Sequence, residues 1–207
     1  MVTRLPGSPP AVALTFDDGP HPGGTPAVLD ALARAGARAT FFVVGEAVRR
    51  HPGLLAEILS AGHEVALHGD RHLPHALLPP WVVARDLARG RAEIEREVGG
   101  VVAAVRAPFG AASLGTLDYA RRHRLFVAGW TRWGWDWHSR ATAESIASRA
   151  TRSLAGGEVI LLHDSDAYST AGTWRATAAA VALICERLER RGLETVALCD
   201  AVATARD

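Results

Sequence analysis

Seven short apolar runs punctuate the chain: Val12–Phe16, Ala39–Val44, Glu64–Leu67, Val102–Arg106, Leu125–Gly129, Glu158–Leu162 and Glu194–Leu198. Longer amphipathic stretches separate most of them, among them Thr25–Ala35, Gly53–Ala61, Trp81–Val98, Ser113–His123, Ala143–Leu154 and Arg175–Arg191. Strand–helix alternation of this kind means parallel strands joined by crossover helices, an α/β fold. Gly36, Gly62, Gly99 and Gly192 each follow a helical stretch, where a C-terminal glycine cap belongs. What stands just after each strand then separates an open sheet from a barrel. Asp17-Asp18 follows the first, His68 and His72 the third, Arg106 closes the fourth, Asp136 lies beyond the fifth, and His163-Asp164 follows the sixth. An open doubly wound sheet collects only the few strand ends at its switch point, whereas a barrel gathers all of them at one mouth. The pattern predicts a distorted (β/α) barrel of about seven parallel strands.

The 207 residues are expected to form one domain spanning 1–207, with a core at about 11–199. All 23 basic residues are arginines, balanced by 22 acids to a net charge of +1. That balance argues against nucleic acid or an anionic membrane as the partner. Cys185 and Cys199 are too far apart for a Cys-x-x-Cys site and read as buried thiols in a reducing compartment. The N-terminus carries no apolar run and no window approaches 18 apolar residues, so the expected location is cytoplasmic.

The nine histidines are the compositional surplus, and three of them fall at strand ends. One carboxylate with two imidazoles is a three-ligand set for a divalent metal, leaving positions open for water and substrate. If His68–His72 begins helically, its i, i+4 spacing puts both imidazoles on one face. Of two adjacent aspartates in an extended segment, one can ligate while its neighbour reaches a water. A histidine across the site would protonate a leaving group. Asp-His-His suits zinc, and cobalt or nickel fit the same donors.

These residues resemble the polysaccharide deacetylase family, carbohydrate esterase family 4 with its NodB homology domain. The likeness runs from about residue 11 to 199 with five motifs in the family's order. In Thr15-Phe16-Asp17-Asp18-Gly19-Pro20, it implies Asp17 as general base and Asp18 as metal ligand. His68-Gly69-Asp70-Arg71-His72 keeps both histidine ligands but has glycine where the family has a serine or threonine that braces the loop. Arg106-Ala107-Pro108-Phe109-Gly110 implies Arg106 as the ion-pair partner of Asp17, and the Phe109 backbone N–H as an oxyanion donor. Asp136-Trp137 implies a carboxylate supporting the catalytic histidine and an indole walling the acetyl pocket. Leu161-Leu162-His163-Asp164 implies His163 as general acid and Leu161 as pocket lining. The implied activity is metal-dependent hydrolysis of an acetyl group, N-acetyl foremost, on a carbohydrate or acetylated amino sugar.

Four of the six tryptophans lie between Trp130 and Trp137, Trp133 among them, and are expected to offer sugars a stacking platform. Trp81 and Trp174 read as packing residues, and Asp164–Trp174 as an exposed rim loop beside His163. Two alternatives stay open on the residues alone. One is a hydrolase of another C–N bond in a small amide metabolite. The other is a carbohydrate-binding protein without turnover, suggested by Gly69.

Overall fold

A computed structural model describes residues 1–205; Arg206 and Asp207, the last two residues of the expected domain, lie outside them. Eight strands alternate with eight helices: β1 (Ala11–Asp17), α1 (Gly24–Arg34), β2 (Thr40–Val43), α2 (Gly45–Arg50), α3 (Leu54–Ser60), β3 (Glu64–Leu67), α4 (Pro80–Val98), β4 (Ala104–Val105), α5 (Leu114–Arg122), β5 (Phe126–Val127), β6 (Arg132–Trp133), α6 (Ala143–Ala150), β7 (Val159–His163), α7 (Trp174–Glu189), β8 (Glu194–Val196) and α8 (Leu198–Thr204). Every strand pairing is parallel, in the order β5-β4-β3-β2-β1-β7-β6, with β8 beside the first half of β1. The two outermost strands, β5 and β6, are halves of one continuous segment. Its first half pairs with β4 and its second with β7, so the chain carries the sheet round on itself. The result is a distorted barrel with about seven strand positions.

Side-chain size decides its shape. The inward row is narrow: Ala11, Ala13, Ala66, Ala104 and Ala128, with Phe42 and Phe126. The outward row, Val12, Leu14, Phe16, Phe41, Ile160 and Leu162, packs under the helices. Strands covered on both faces read as continuous apolar runs rather than alternating ones, as β1 does. Small inward residues let the opposite walls of a narrow barrel fit together, with polar side chains filling one end. All four expected glycine caps hold, each with φ between +60° and +81°.

The barrel also draws in residues outside 11–199. Val2 bridges to Ala128, Arg4 bridges to Glu158, and Leu5 is buried in the inner cluster, so the N-terminal segment seals the seam between β5 and β7. The last expected strand, Glu194–Leu198, ends at Val196 and gives way to α8. Its N-terminal amides find a ready acceptor: Glu64, at the start of β3, accepts the N–H groups of Cys199 and Asp200 at 2.8 Å each. That docks α8 at the end opposite the strand C-termini. Among the described residues no helix is long and apolar enough to cross a membrane.

Candidate active site

The C-terminal strand ends meet as the sequence pattern requires. In the parallel register Asp17 is opposite His163, so the first and fifth motifs lie side by side. Loops after β1, β2 and β3 are laced by backbone bonds: Val44 donates to Gly19 O at 2.8 Å, and Gly45 to Gly69 O at 3.0 Å. A cavity of about 370 Å³ opens there, lined by Asp17, Asp18, His68, His72, Phe109, Trp130, Trp137, Leu161, His163 and Tyr168. Its size fits a sugar-sized ligand.

Asp18, His68 and His72 each offer a donor atom, all within 4.8 Å of one another. Asp18 Oδ1 lies 3.3 Å from His68 Nε2 and 3.2 Å from His72 Nε2, and it is buried without a hydrogen bond. His68 donates its Nδ1–H to Arg106 O at 2.9 Å, which leaves the Nε2 lone pair facing Asp18. His72 is held instead by rings. Tyr168 stacks on it at 4.1 Å and 15°, and Phe109 meets it edge-on at 4.4 Å. Burial opposes ionisation of Asp18, but contact with the two histidines outweighs it, and the carboxyl sits well below the usual range. A buried carboxylate oxygen with no hydrogen bond, faced by two imidazole nitrogens, is the donor set a divalent cation completes.

Asp17 is anchored from behind. Arg106 is fully buried and donates to Asp17 Oδ1 at 2.6 Å, to Thr15 Oγ1 at 2.9 Å and to Gly129 O at 3.0 Å, with its guanidinium 4.0 Å above the Phe42 ring. Burial lowers the pKa of Arg106, and the ion pair with Asp17 partly restores it. Asp17 Oδ2 remains on the cavity side, 3.7 Å from His68 Nε2. Across the cavity His163 Nδ1 lies 3.0 Å from Asp136 Oδ1, while Asp136 Oδ2 accepts the His163 backbone N–H at 2.7 Å and the Thr177 hydroxyl at 2.9 Å. Burial alone would lower the pKa of His163. The charge and hydrogen bond of Asp136 prevail, with Asp18 and Asp17 adding to them, and the imidazole is pushed up to about 10.

Residues 4–128 match the family model described as polysaccharide deacetylase. The chain belongs to the polysaccharide deacetylase family. Membership makes it a hydrolase of C–N bonds other than peptide bonds. It is 31% identical over 204 residues to a peptidoglycan-N-acetylglucosamine deacetylase of Bacillus cereus, covering 95% of this chain and 90% of that one. A chitooligosaccharide deacetylase of Sinorhizobium fredii is 36% identical over 168 residues, 75% of this chain and 72% of its own. In three dimensions the chain is similar to a peptidoglycan N-acetylglucosamine deacetylase solved with 4-naphthalen-1-yl-N-oxidanyl-benzamide. The TM-score is 0.90 at 26% identity, over 97% of this chain and 92% of that one. It is also similar to a family 4 carbohydrate esterase from Streptomyces lividans in complex with acetate, at a TM-score of 0.80 and 31% identity over 89% and 91% of the two chains.

Three expectations about this deacetylase site need correction. His68–His72 is not helical: the segment is a loop with Gly69 at φ +89°. Trp133 does not line the cavity. β6 is an edge strand at that point, and Trp133 sits with Trp135 and Arg149 along a neighbouring surface groove, while Trp130 and Trp137 alone of that run face the cavity. Trp81 is exposed rather than packed.

The loop between the two histidines is braced from α4. Asp86, on α4, accepts the backbone N–H groups of Asp70 at 3.0 Å and Arg71 at 3.2 Å. A Cβ at position 69 would stand 2.8 Å from Asp86 Oδ2, so the carboxylate fills the space a side chain there would need. Gly90 of α4 lets the helix approach, since a Cβ there would lie 2.5 Å from Gly69 O. From the other side Arg49 of α2 pairs with Asp70 at 2.7 Å. Neither Asp86 nor Tyr168 was distinguishable in the sequence from a surface helix acid and a rim-loop aromatic. Asp164 is a further buried acid: Thr25 donates to it, and burial pushes it up to about 7.

Proposed function

We propose that this chain removes acetyl groups, N-acetyl foremost, from a carbohydrate containing N-acetylglucosamine, with a divalent ion held by Asp18, His68 and His72. The observation that carries this reading is the juxtaposition of three pieces around one cavity: the convergent Asp-His-His donors, the Asp17–Arg106 pair and the His163–Asp136 pair. The donor chemistry favours zinc, with cobalt and nickel fitting the same ligands. When bound, such an ion polarises an amide carbonyl and lowers the pKa of water.

The protein's own groups complete the reaction. Arg106 holds Oδ1 of Asp17 and leaves Oδ2 to take a proton from water as the oxygen adds to the acetyl carbonyl carbon. The Phe109 backbone N–H serves the carbonyl oxygen as negative charge develops there. As the C–N bond breaks, His163 gives its proton to the departing amine, and acetate is the second product. Asp136 holds the imidazole charged and aimed, and Trp137, edge-on to His163 with ring centres 5.4 Å apart, bounds the acetyl end of the cavity with Leu161. Relatives named for peptidoglycan-N-acetylglucosamine and for chitooligosaccharide support N-acetylglucosamine as the sugar.

Acetate release tests this, measured on acetylated amino-sugar oligomers and on non-acetyl amides, with zinc, cobalt or nickel added and after chelation. Activity confined to the acetylated sugars and lost on chelation is the expected result. Full activity after the metal is stripped, or turnover of the other amides alone, would overturn it. Asp17→Asn should retain metal and lose activity by about 10²–10⁴-fold.

A further inference from the structure

The two tryptophans that leave the cavity mark a second site. Trp133 and Trp135 are 41% and 48% exposed and line a groove of about 420 Å³ with Arg132, Arg149 and Arg152. Two exposed indoles side by side form one apolar patch rather than scattered single residues. Arg132 is engaged by Glu158. Arg149 and Arg152, both exposed, have no acidic partner within 4 Å among the described residues. Arg149 instead lies over the Trp135 ring at 5.2 Å.

Trp135 has φ +55°, a left-handed conformation that costs a bulky residue about 1–2 kcal/mol and glycine almost nothing. About half of the indole is buried, so its packing together with the Arg149 contact offsets that strain and leaves the rest of the ring at the surface. The indole face and two guanidinium groups without an acidic partner among the described residues together present an apolar plate edged with positive charge. That surface matches a sugar ring stacked on indole with a carboxylate reaching the arginines. Along the chain the groove is next to the deacetylase site: Trp133 is paired in register with Leu161, which lines the cavity, and Trp137 lies two residues beyond Trp135.

We propose that this groove binds an acidic saccharide unit, a sugar ring bearing a carboxylate. The proposal rests on the carbohydrate reading of the site, and it is tested by binding rather than turnover so that the two fail separately. Indole fluorescence and calorimetry would follow two probes: an oligosaccharide alternating N-acetylglucosamine with glucuronic acid, and a neutral N-acetylglucosamine oligomer of the same length. The expected result is tighter binding of the acidic probe, weakened by added salt and weakened about tenfold in Arg149→Ala/Arg152→Ala, with the neutral probe unchanged. Trp135→Gly should remove most of the fluorescence response to the acidic probe and leave neutral binding intact. Equal affinity for the two probes, or acidic binding untouched by the double arginine variant, would overturn the groove. If acidic binding behaves as expected but no acetate is released from either probe, the deacetylase reading fails and the groove stands.

Discussion

Replacing Asp86 by alanine isolates the brace on the loop between the two histidines. The carboxylate accepts two backbone N–H groups, at 3.0 and 3.2 Å, from the loop joining His68 to His72. A hydrogen bond to a charged group contributes about 1.5–3 kcal/mol, so two would amount to roughly 3–6 kcal/mol if nothing replaced them. Water does replace part, because an open cleft lined by Trp81, Arg85 and Arg89 reaches Asp86 from outside. A loss of about 2–3 kcal/mol follows, or a fall of about 5–10 °C in Tm for a chain of this size. The same loss of order should weaken zinc binding about 10–100-fold, the range seen when partners of metal ligands are removed. Asp86→Asn keeps one carbonyl acceptor and should fall between. Competition with a chromogenic chelator measures metal affinity, and calorimetry of the metal-free protein measures stability. Gly69→Ala supplies an internal check. In the native background its Cβ meets Asp86 Oδ2 at 2.8 Å on top of the left-handed strain; with Asp86→Ala that clash is gone, leaving about 1–2 kcal/mol of strain and the 3.0 Å approach to Arg71 O. Gly69→Ala should therefore cost less in the Asp86→Ala protein than in the native one. Zinc affinity within about twofold of native in Asp86→Ala would refute the brace.

Arg106→Leu leaves Asp17 buried without its partner and should destabilise the protein by about 3–5 kcal/mol, read in urea unfolding, while abolishing acetate release. The rate profile should respond to Asp136→Asn: without that charge His163 loses its raised pKa of about 10, and the alkaline limb of kcat/KM moves toward neutral pH. The linked stability has a definite sign. A raised imidazole pKa stabilises the native fold fully below pH ~6.5, the unfolded value, and the gain is lost as pH climbs through about 10. Thermal melts of the metal-free Asp136→Asn protein should accordingly flatten between those limits.

Much of the catalytic end was legible because it rests on local signals. A strand must end somewhere, and the residue type just past that end is visible in the chain: Asp17-Asp18, Arg106 and His163 announced themselves without coordinates. Glycine caps were legible for the same reason, since φ > 0 is a local demand. Short elements were not. β6 is two residues long, and α2 is six, too short for apolar periodicity to register. α8 was read as the tail of a strand because its apolar residues follow those of β8 directly.

Spacing along the chain dictates which residues the strands deliver together, so the α/β class, the barrel and the ionisable residues at its mouth follow from sequence. Only the tertiary structure decided which face each neighbouring side chain takes. Within one eight-residue run, Trp130 and Trp137 turn into the cavity and Trp133 and Trp135 turn away from it. It also decided that the loop lacking a hydroxyl at Gly69 is braced by Asp86, 17 positions later in the chain. Contacts of that kind depend on how closely α4 can approach the loop, which the packing of Gly90 settles and no local pattern encodes.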